Sequence, residues 1–338
     1  MFKMTSNIVF TIYFNNGFNN EFKKVTVKPN AIKWSRSIYD LSDTATIILP
    51  AVGRLTRGID GKKIKTTDLL IGGTPVSIYA GYDNKNDLHF KGFISRVNFK
   101  IPVEIECEGY SYILRNKLGI DKSYKNTTVK SILQELIGDT EIKLHPDIPN
   151  IPIEKCQFIN ASGIQVLEWF KEKCLLTVYF VYDQIYVGGD TLVPGQTIKL
   201  RLGWNVVKDD ELKFHPKEFA DVKISILNRQ ANGQFISQTS SNNNGQISGI
   251  KKIRTLISDP KTMKAIAERE RTLLVNSGYE GMVTAFLKPF ATPGMVALIY
   301  DTKFKQRTGK YFITGIEGSF SKSGGRQKIK IGYFLGKV

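Results

Sequence analysis

The 338-residue chain holds only three histidines, His89, His145 and His215, and only three cysteines, Cys107, Cys156 and Cys174. No histidine stands at ligand spacing from a Cys, Asp or Glu, and no CxxC pair occurs. A zinc knuckle, a disulfide framework and histidine-based acid–base chemistry therefore lack their raw material. The cysteines are expected as buried free thiols, the histidines as structural residues, and neither a metal nor a cofactor is expected. No run approaches the roughly 18 consecutive apolar residues that span a bilayer. The opening MFKMTSNIVFTIYF passes into NNGFNN without a signal-like cleavage site, so a cytosolic product without a targeting segment or membrane anchor is expected. GxSxG, HExxH, GxxxxGK[ST] and the dinucleotide glycine fingerprint are all missing.

Acidic residues are the other shortage. Thirty-one Asp and Glu face 48 Lys and Arg, a formal charge of +17. A field of that size attracts phosphate, anionic lipid or an acidic protein without choosing among them. The cations are scattered through nearly every segment, with the tightest runs at GKKIK (61–65), GIKKIR (249–254) and KFKQRTGK (303–310), all read as loops or strand edges. Lysine at such places guards a sheet edge against aggregation or forms a basic contact surface. With 41% hydrophobic and 23% charged residues the composition is that of a folded globular chain, long enough for two or three domains.

What is abundant is alternation of period two, broken by Gly, Asn and Asp. Segments 7–14, 21–29, 44–50, 75–82, 88–100 and 103–111 read as strands in close succession, which predicts a closed or nearly closed antiparallel barrel. Between them, KWSRSIYDLSD (33–43) spaces Trp34, Ile38 and Leu41 by four and three, a helical turn or an irregular strand entry. The pattern then changes. TTVKSILQELIG (127–138) is an amphipathic helix with Thr128 as its cap, and SGIQVLEWFKEKC (162–174) opens on a capping box. A hairpin over 175–189 follows, and the proline-rich run 145–155 is read as an extended internal connection. Strands return at 196–203, 221–228, 278–289, 293–301, 309–320 and 326–335. One helix interrupts them at 259–277, with Asp259 as cap and Pro260 at its first position. The polar stretch 238–249 reads as a flexible loop that orders on assembly. The expected fold is mainly β with an α+β insertion. It comprises a first β-barrel domain (1–112), a small α/β domain (113–190) and a second β-barrel domain (191–338) that carries the inserted helix.

Glu104, Glu106 and Glu108 alternate along one strand and therefore share a face. Such a row suits a solvated or lumen-facing wall better than the paired carboxylates of a glycoside hydrolase, and no enzyme activity is expected.

The run RSIYDLSDTATIILP followed by GTPVSIYAGYD and then FKGFISRV resembles the first domain of the tail or baseplate hub proteins of tailed phages. That group includes the late-control family and the N-terminal part of type VI secretion spike proteins. The matching residues are Leu41, Ala45, Ile47, Leu49 and Pro50; Gly73, Val76, Ile78, Gly81, Tyr82 and Asp83; and Phe90, Gly92 and Ile94. EGYSYILRNK (108–117) resembles the family's barrel exit, and 159–188 its insertion domain.

The resemblance implies two tube-type barrels per subunit and a homotrimer with pseudo-sixfold symmetry. Such a ring joins the hexameric tail tube, or a distal tail protein ring, to a threefold spike, tip or fibre protein. A tape measure protein and DNA, in transit only, would pass through it, and it would sit at the tail tip or baseplate of a virion assembled in the host cytoplasm. The resemblance also gives Trp34, Arg36, Tyr39 and Pro50 a role in an arm lying on a neighbouring subunit, and the glutamate row a place in the channel. Absence of a fused spike domain before Val338 makes a separate spike chain the expectation. Two other readings stay open at this point: a nucleic-acid-binding double barrel, resting on charge and on Tyr179 and Tyr182, and a cell-wall hydrolase.

Overall fold

A computed structural model describes residues 8–16, 23–26, 29–50, 54–56, 63–65, 70–82, 85–189, 195–209, 211–215, 222–230, 233–240, 249–275, 278–321 and 324–337. The first β portion runs β1 (Ile8–Asn16), β2 (Lys23–Thr26), β3 (Ala31–Ser37), β4 (Thr44–Leu49), β5 (Arg54–Thr56), β6 (Lys63–Lys65), β7 (Pro75–Tyr82), β8 (Lys85–Asn98) and β9 (Val103–Glu108). Next come α1 (Ser111–Asn116), β10 (Ile120–Thr128), α2 (Val129–Ile137), β11 (Lys143–Leu144), β12 (Pro152–Ala161), α3 (Gly163–Glu172), β13 (Thr177–Val181) and β14 (Gln184–Gly188). The chain continues through β15 (Thr197–Arg201), β16 (Val206–Lys208), β17 (Lys213–His215), β18 (Val222–Arg229), β19 (Phe235–Ser240) and β20 (Gly249–Arg254). It closes with α4 (Pro260–Val275), β21 (Gly278–Ala285), β22 (Val296–Tyr300), β23 (Gly309–Ser321) and β24 (Gly324–Gly336).

The expected mainly-β fold with an α+β insertion is present, and its organising feature is one 14-stranded sheet that takes strands from both β portions. Its main path is β16-β21-β24-β23-β3-β4-β9-β8-β7-β1-β2, with β15, β17 and β22 branching from the β16-to-β23 end. Strand β23 is the fork. Its first residues pair with β22, its last seven pair antiparallel with β3, and β24 runs along its other edge. A bridge from Leu202 to Val206 brings the end of β15 to β16, so the second portion curls almost closed.

Alternation along these strands follows from a sheet with one dry face. Ile32, Trp34, Ala45, Ile47, Ile78, Phe90 and Ile105 fill the core of the first portion, joined there by Leu287 and Phe320 from the second. Val283, Ala285, Ile299, Tyr311, Ile313 and Ile329 belong to a separate core in the second. Each β portion thus has its own apolar centre, while the hydrogen-bonded sheet is common to both.

The α/β unit is built as its caps dictate. Thr128 Oγ1 accepts from Ser131 N at 3.1 Å at the start of α2, and Ser162 with Gln165 forms a reciprocal capping box at α3. Their buried faces, with Phe170, Tyr179 and Ile185, make the third core. Residues 152–161, within and beyond the proline-rich run, are a strand paired with β10 rather than a plain connection.

Helix α4 starts where Asp259 caps it, its carboxylate accepting from Thr262 N at 2.8 Å. It lies between second-portion strands in sequence, yet Met263, Ile266 and Ala267 pack into the α/β core. Arg269 fastens it there, donating to the carbonyls of Leu175 and Gly189 and to Thr177 Oγ1. With α4 goes the three-stranded sheet β19-β18-β20, whose Ile224 and Ile226 join the same core. All three cysteines are buried and free. Burial pushes the Cys156 thiol up to about 11, which keeps it protonated. Residues 241–248 of the polar stretch lie outside the described residues; its flanks 238–240 and 249 belong to β19 and β20.

Candidate functional site

Opposite the dry face, the large sheet presents a polar wall that crosses from one β portion to the other. Strand register places its side chains in rows. One row runs Arg96, Glu106, Thr46, Lys33, Ser319 and Arg326 over β8, β9, β4, β3, β23 and β24. The next runs Glu108, Thr44, Ser35, Glu317, Lys328, Thr284 and Lys208, from β9 to β16. Seven strands spaced about 4.8 Å apart make this row roughly 30 Å long before curvature. A shallow depression of about 420 Å³ lies at its centre, over the β3–β23 seam, lined by Lys33, Thr46, Glu317, Arg326 and Lys328 among others.

Glu104, Glu106 and Glu108 do share this face, between the buried Val103, Ile105 and Cys107. Each is matched by a cation: Glu104 with Lys100 Nζ at 2.7 Å, Glu106 with Arg96 at 2.6 Å and Glu108 with Arg115 at 3.0 Å. Hydrogen bonds from Arg96 and Asn98 hold the Glu106 carboxyl below the usual carboxylate range. A general acid for glycoside cleavage needs the opposite shift. The wall is therefore a mixed-charge surface, with Lys33, Arg326 and Lys328 facing the same way as the glutamates.

Two residues expected on a neighbour-facing arm lie inside the chain instead. Of the two expectations for this segment, a helical turn or an irregular strand entry, the second is closer: residues 31–37 are strand β3 and 38–43 an irregular stretch before β4, with Ile32, Trp34 and Arg36 on the buried side of β3 and Ile38 buried just beyond it. Trp34 is 3% exposed, its indole tilted against the His89 ring at 4.6 Å between centroids. Arg36 is 5% exposed, because its charge is met within the chain: Nε donates to Asp43 at 3.0 Å, Nη1 to Thr292 Oγ1 at 2.9 Å, and the guanidinium lies 4.1 Å from the Tyr182 ring. Burial works against this cation, but Asp43 and Tyr182 outweigh it and keep Arg36 charged. Tyr39 is 40% exposed and Pro50 is half-buried.

The aromatics invoked for nucleic acid are likewise occupied: Tyr179 is 2% exposed in the α/β core, and Tyr182 lies beneath Arg36 with its hydroxyl donating to Leu88 O. His89 is buried and bonded to Ala80 O at 3.2 Å. Burial pulls its pKa down to about 4, so it is neutral at physiological pH. Among the described residues no group of three or more His, Cys, Asp or Glu could hold a metal ion, and no helix is long and apolar enough to cross a membrane. The seam itself, β3 to β23, had no sequence signal, because pairing between segments nearly 290 residues apart leaves none that a single sequence displays.

No protein-family model matches the sequence, and no curated protein matches it significantly. Solved structures do. A tail protein from Neisseria meningitidis MC58 superposes with a TM-score of 0.64 at 12% identity, covering 96% of each chain. The 43 kDa tail protein of prophage MuSo2 from Shewanella oneidensis gives 0.61 at 12% identity, over 95% of this chain and 97% of that one. The Escherichia coli protein c3393, a component of the type VI secretion system with structural similarity to the T4 tail proteins gp27 and gp5, gives 0.58 at 10% identity, over 95% and 76%. The chain thus has the fold of phage tail proteins and of a type VI secretion component, the fold that its sequence resemblance implies.

Proposed function

We propose that the chain is a non-enzymatic hub of a phage or phage-like injection machine. Three copies close a pseudo-sixfold ring that adapts a hexameric tail tube, or a distal tail protein ring, to a threefold tip, spike or fibre protein. In this reading residues 1–112 and 191–338 supply the two staves of each subunit and 113–190 the unit between them. The polar wall with Glu104, Glu106 and Glu108 lines the channel through which a tape measure protein and DNA pass. The ring belongs to the tail tip or baseplate of a virion assembled in the host cytoplasm.

The observation that carries the reading is the seam. Two β portions with separate cores share one sheet and one polar face, which supports reading them as two staves held edge to edge within a subunit. Fully paired edges are what a closed β wall requires. Tyr39 and Pro50 remain as arm residues for contact with a neighbour. Light scattering on the purified chain, followed by cryo-electron microscopy of the assembly, tests this. The expected result is three times the 38.1 kDa of one chain and threefold symmetry with six β units around a channel. A stable monomer in the assembled particle, or a ring of six chains, refutes it.

A further inference from the structure

The small sheet β19-β18-β20 has one face on the α/β core and the other in solvent. Register fixes which residues share the outer face. It carries four cations, Lys223, Arg229, Lys252 and Arg254, none in an ion pair among the described residues, and no carboxylate. It also carries apolar groups beside the cations: Phe235 at 55% exposure, Ile250 at 61%, and the half-buried Leu227. At one end Phe235, Leu227 and Leu256 line a groove of about 300 Å³, flanked by Arg229, Arg254 and Lys173, with Glu172 at its rim.

Beside this face lies an edge that no described strand pairs. Strand β20 pairs only with β18 among the described residues, and five of its six residues are exposed. Edge lysines alone would be read as protection against aggregation. That account covers Lys251 and Lys252 but not Lys223 and Arg229 on the central strand, nor the exposed Phe235 and Ile250. An extended polypeptide uses these elements together: its backbone pairs with β20, and its side chains at every second position lie over the outer face, where acidic ones meet Lys252 and Arg254 and an apolar one packs on Ile250. A single-stranded nucleic acid would use the charge but not the backbone edge, and among the described residues of this face would find one aromatic, Phe235, where such binders stack successive bases.

We propose that the outer face of β19-β18-β20 and the β20 edge that no described strand covers form a docking site for an extended acidic segment of a partner protein, added to the sheet as a strand. The test is fluorescence anisotropy with the full chain and three labelled probes. They are a ten-residue Glu–Val peptide, with Glu and Val taking turns at every second position and Thr between them so that both face the same side of a strand, its Lys–Val counterpart, and a single-stranded oligonucleotide. The Glu–Val peptide is expected to bind and to weaken as salt rises, and the Lys–Val peptide not to bind. The double substitution Lys252→Glu/Arg254→Glu should weaken Glu–Val binding at least tenfold. In the unsubstituted protein, hydrogen exchange should slow at residues 250–254 when that peptide is added, a readout that does not depend on how the variant folds. Failure of the Glu–Val peptide to bind, binding without slowed exchange at β20, or tighter binding of the oligonucleotide lost in the same variant would each overturn the proposal.

Discussion

Replacing Gly318 by alanine tests the seam at its tightest point. Gly318 on β23 lies directly across from Trp34 on β3, and the indole folds over it. A Cβ at position 318 would stand 1.8 Å from Trp34 Cε2, 2.0 Å from Cζ2 and 2.3 Å from Nε1. Ordinary carbon contacts lie near 3.5–4.0 Å, so the ring must move by roughly 1.5 to 2 Å. The indole has little room to do so at 3% exposure, with His89 against it. Overpacking of this kind costs about 1–3 kcal/mol. The backbone itself does not object, since Gly318 is not among the glycines with positive φ, and alanine in a strand is otherwise preferred over glycine by about 0.5–1 kcal/mol. Trp34→Ala alone should cost about 3–5 kcal/mol through the cavity it leaves. In that background Gly318→Ala should become neutral or stabilising, a coupling of at least 1 kcal/mol. Urea unfolding followed by far-ultraviolet circular dichroism measures all four corners of the cycle. An unchanged midpoint for Gly318→Ala, or a cost that persists undiminished beside Trp34→Ala, would refute the packing argument.

Two further outcomes follow from buried charge. His89 titrates near 4 in the folded chain against 6.5 for the free side chain, so below pH 6.5 the unfolded state takes a proton that the folded state refuses. Stability should fall as pH drops from about 6.5 toward 4, by up to about 3 kcal/mol, and His89→Phe should flatten that part of a stability-versus-pH curve measured by chemical denaturation. Asp43→Ala should cost about 3–5 kcal/mol, because it strands the buried Arg36 cation, whereas Arg36→Met/Asp43→Leu should cost clearly less; equal losses in the two variants, by the same unfolding assay, would show that the ion pair is not what matters.

Helices α2, α3 and α4 were legible because their ends carry chemistry that depends on neighbours in sequence: Thr128, the Ser162–Gln165 box and Asp259 cap the helices that periodicity predicts, whereas α1, with no side-chain cap, was not. Strand β3 was obscured by its own core. An arginine in a buried position breaks the apolar alternation of Ile32, Trp34 and Ile38, and only the distant Thr292 and Tyr182, together with Asp43, make that burial tolerable. Strands β10 and β12 were hidden for a different reason, since IDKSYKNTT shows little apolar alternation. The glutamate row was placed on one face correctly by period two alone, but its pairing cations come partly from β8 and α1, and nothing local announces them. Where α4 would pack was equally invisible, because the residues that receive it lie about 80 to 95 positions earlier in the chain.

Strand β3 emerges from the ribosome early and its partner β23 almost last: Ala31 meets Ser321, and Ser37 meets Gly315. At synthesis rates of about 5–20 residues per second, the edge of β3 that β23 will cover waits roughly 15 to 60 seconds for its mate. During that interval the nascent chain carries an open strand beside Ile32 and Trp34, the kind of edge to which another nascent copy could bind. Truncation before residue 315 leaves that strand without its native partner.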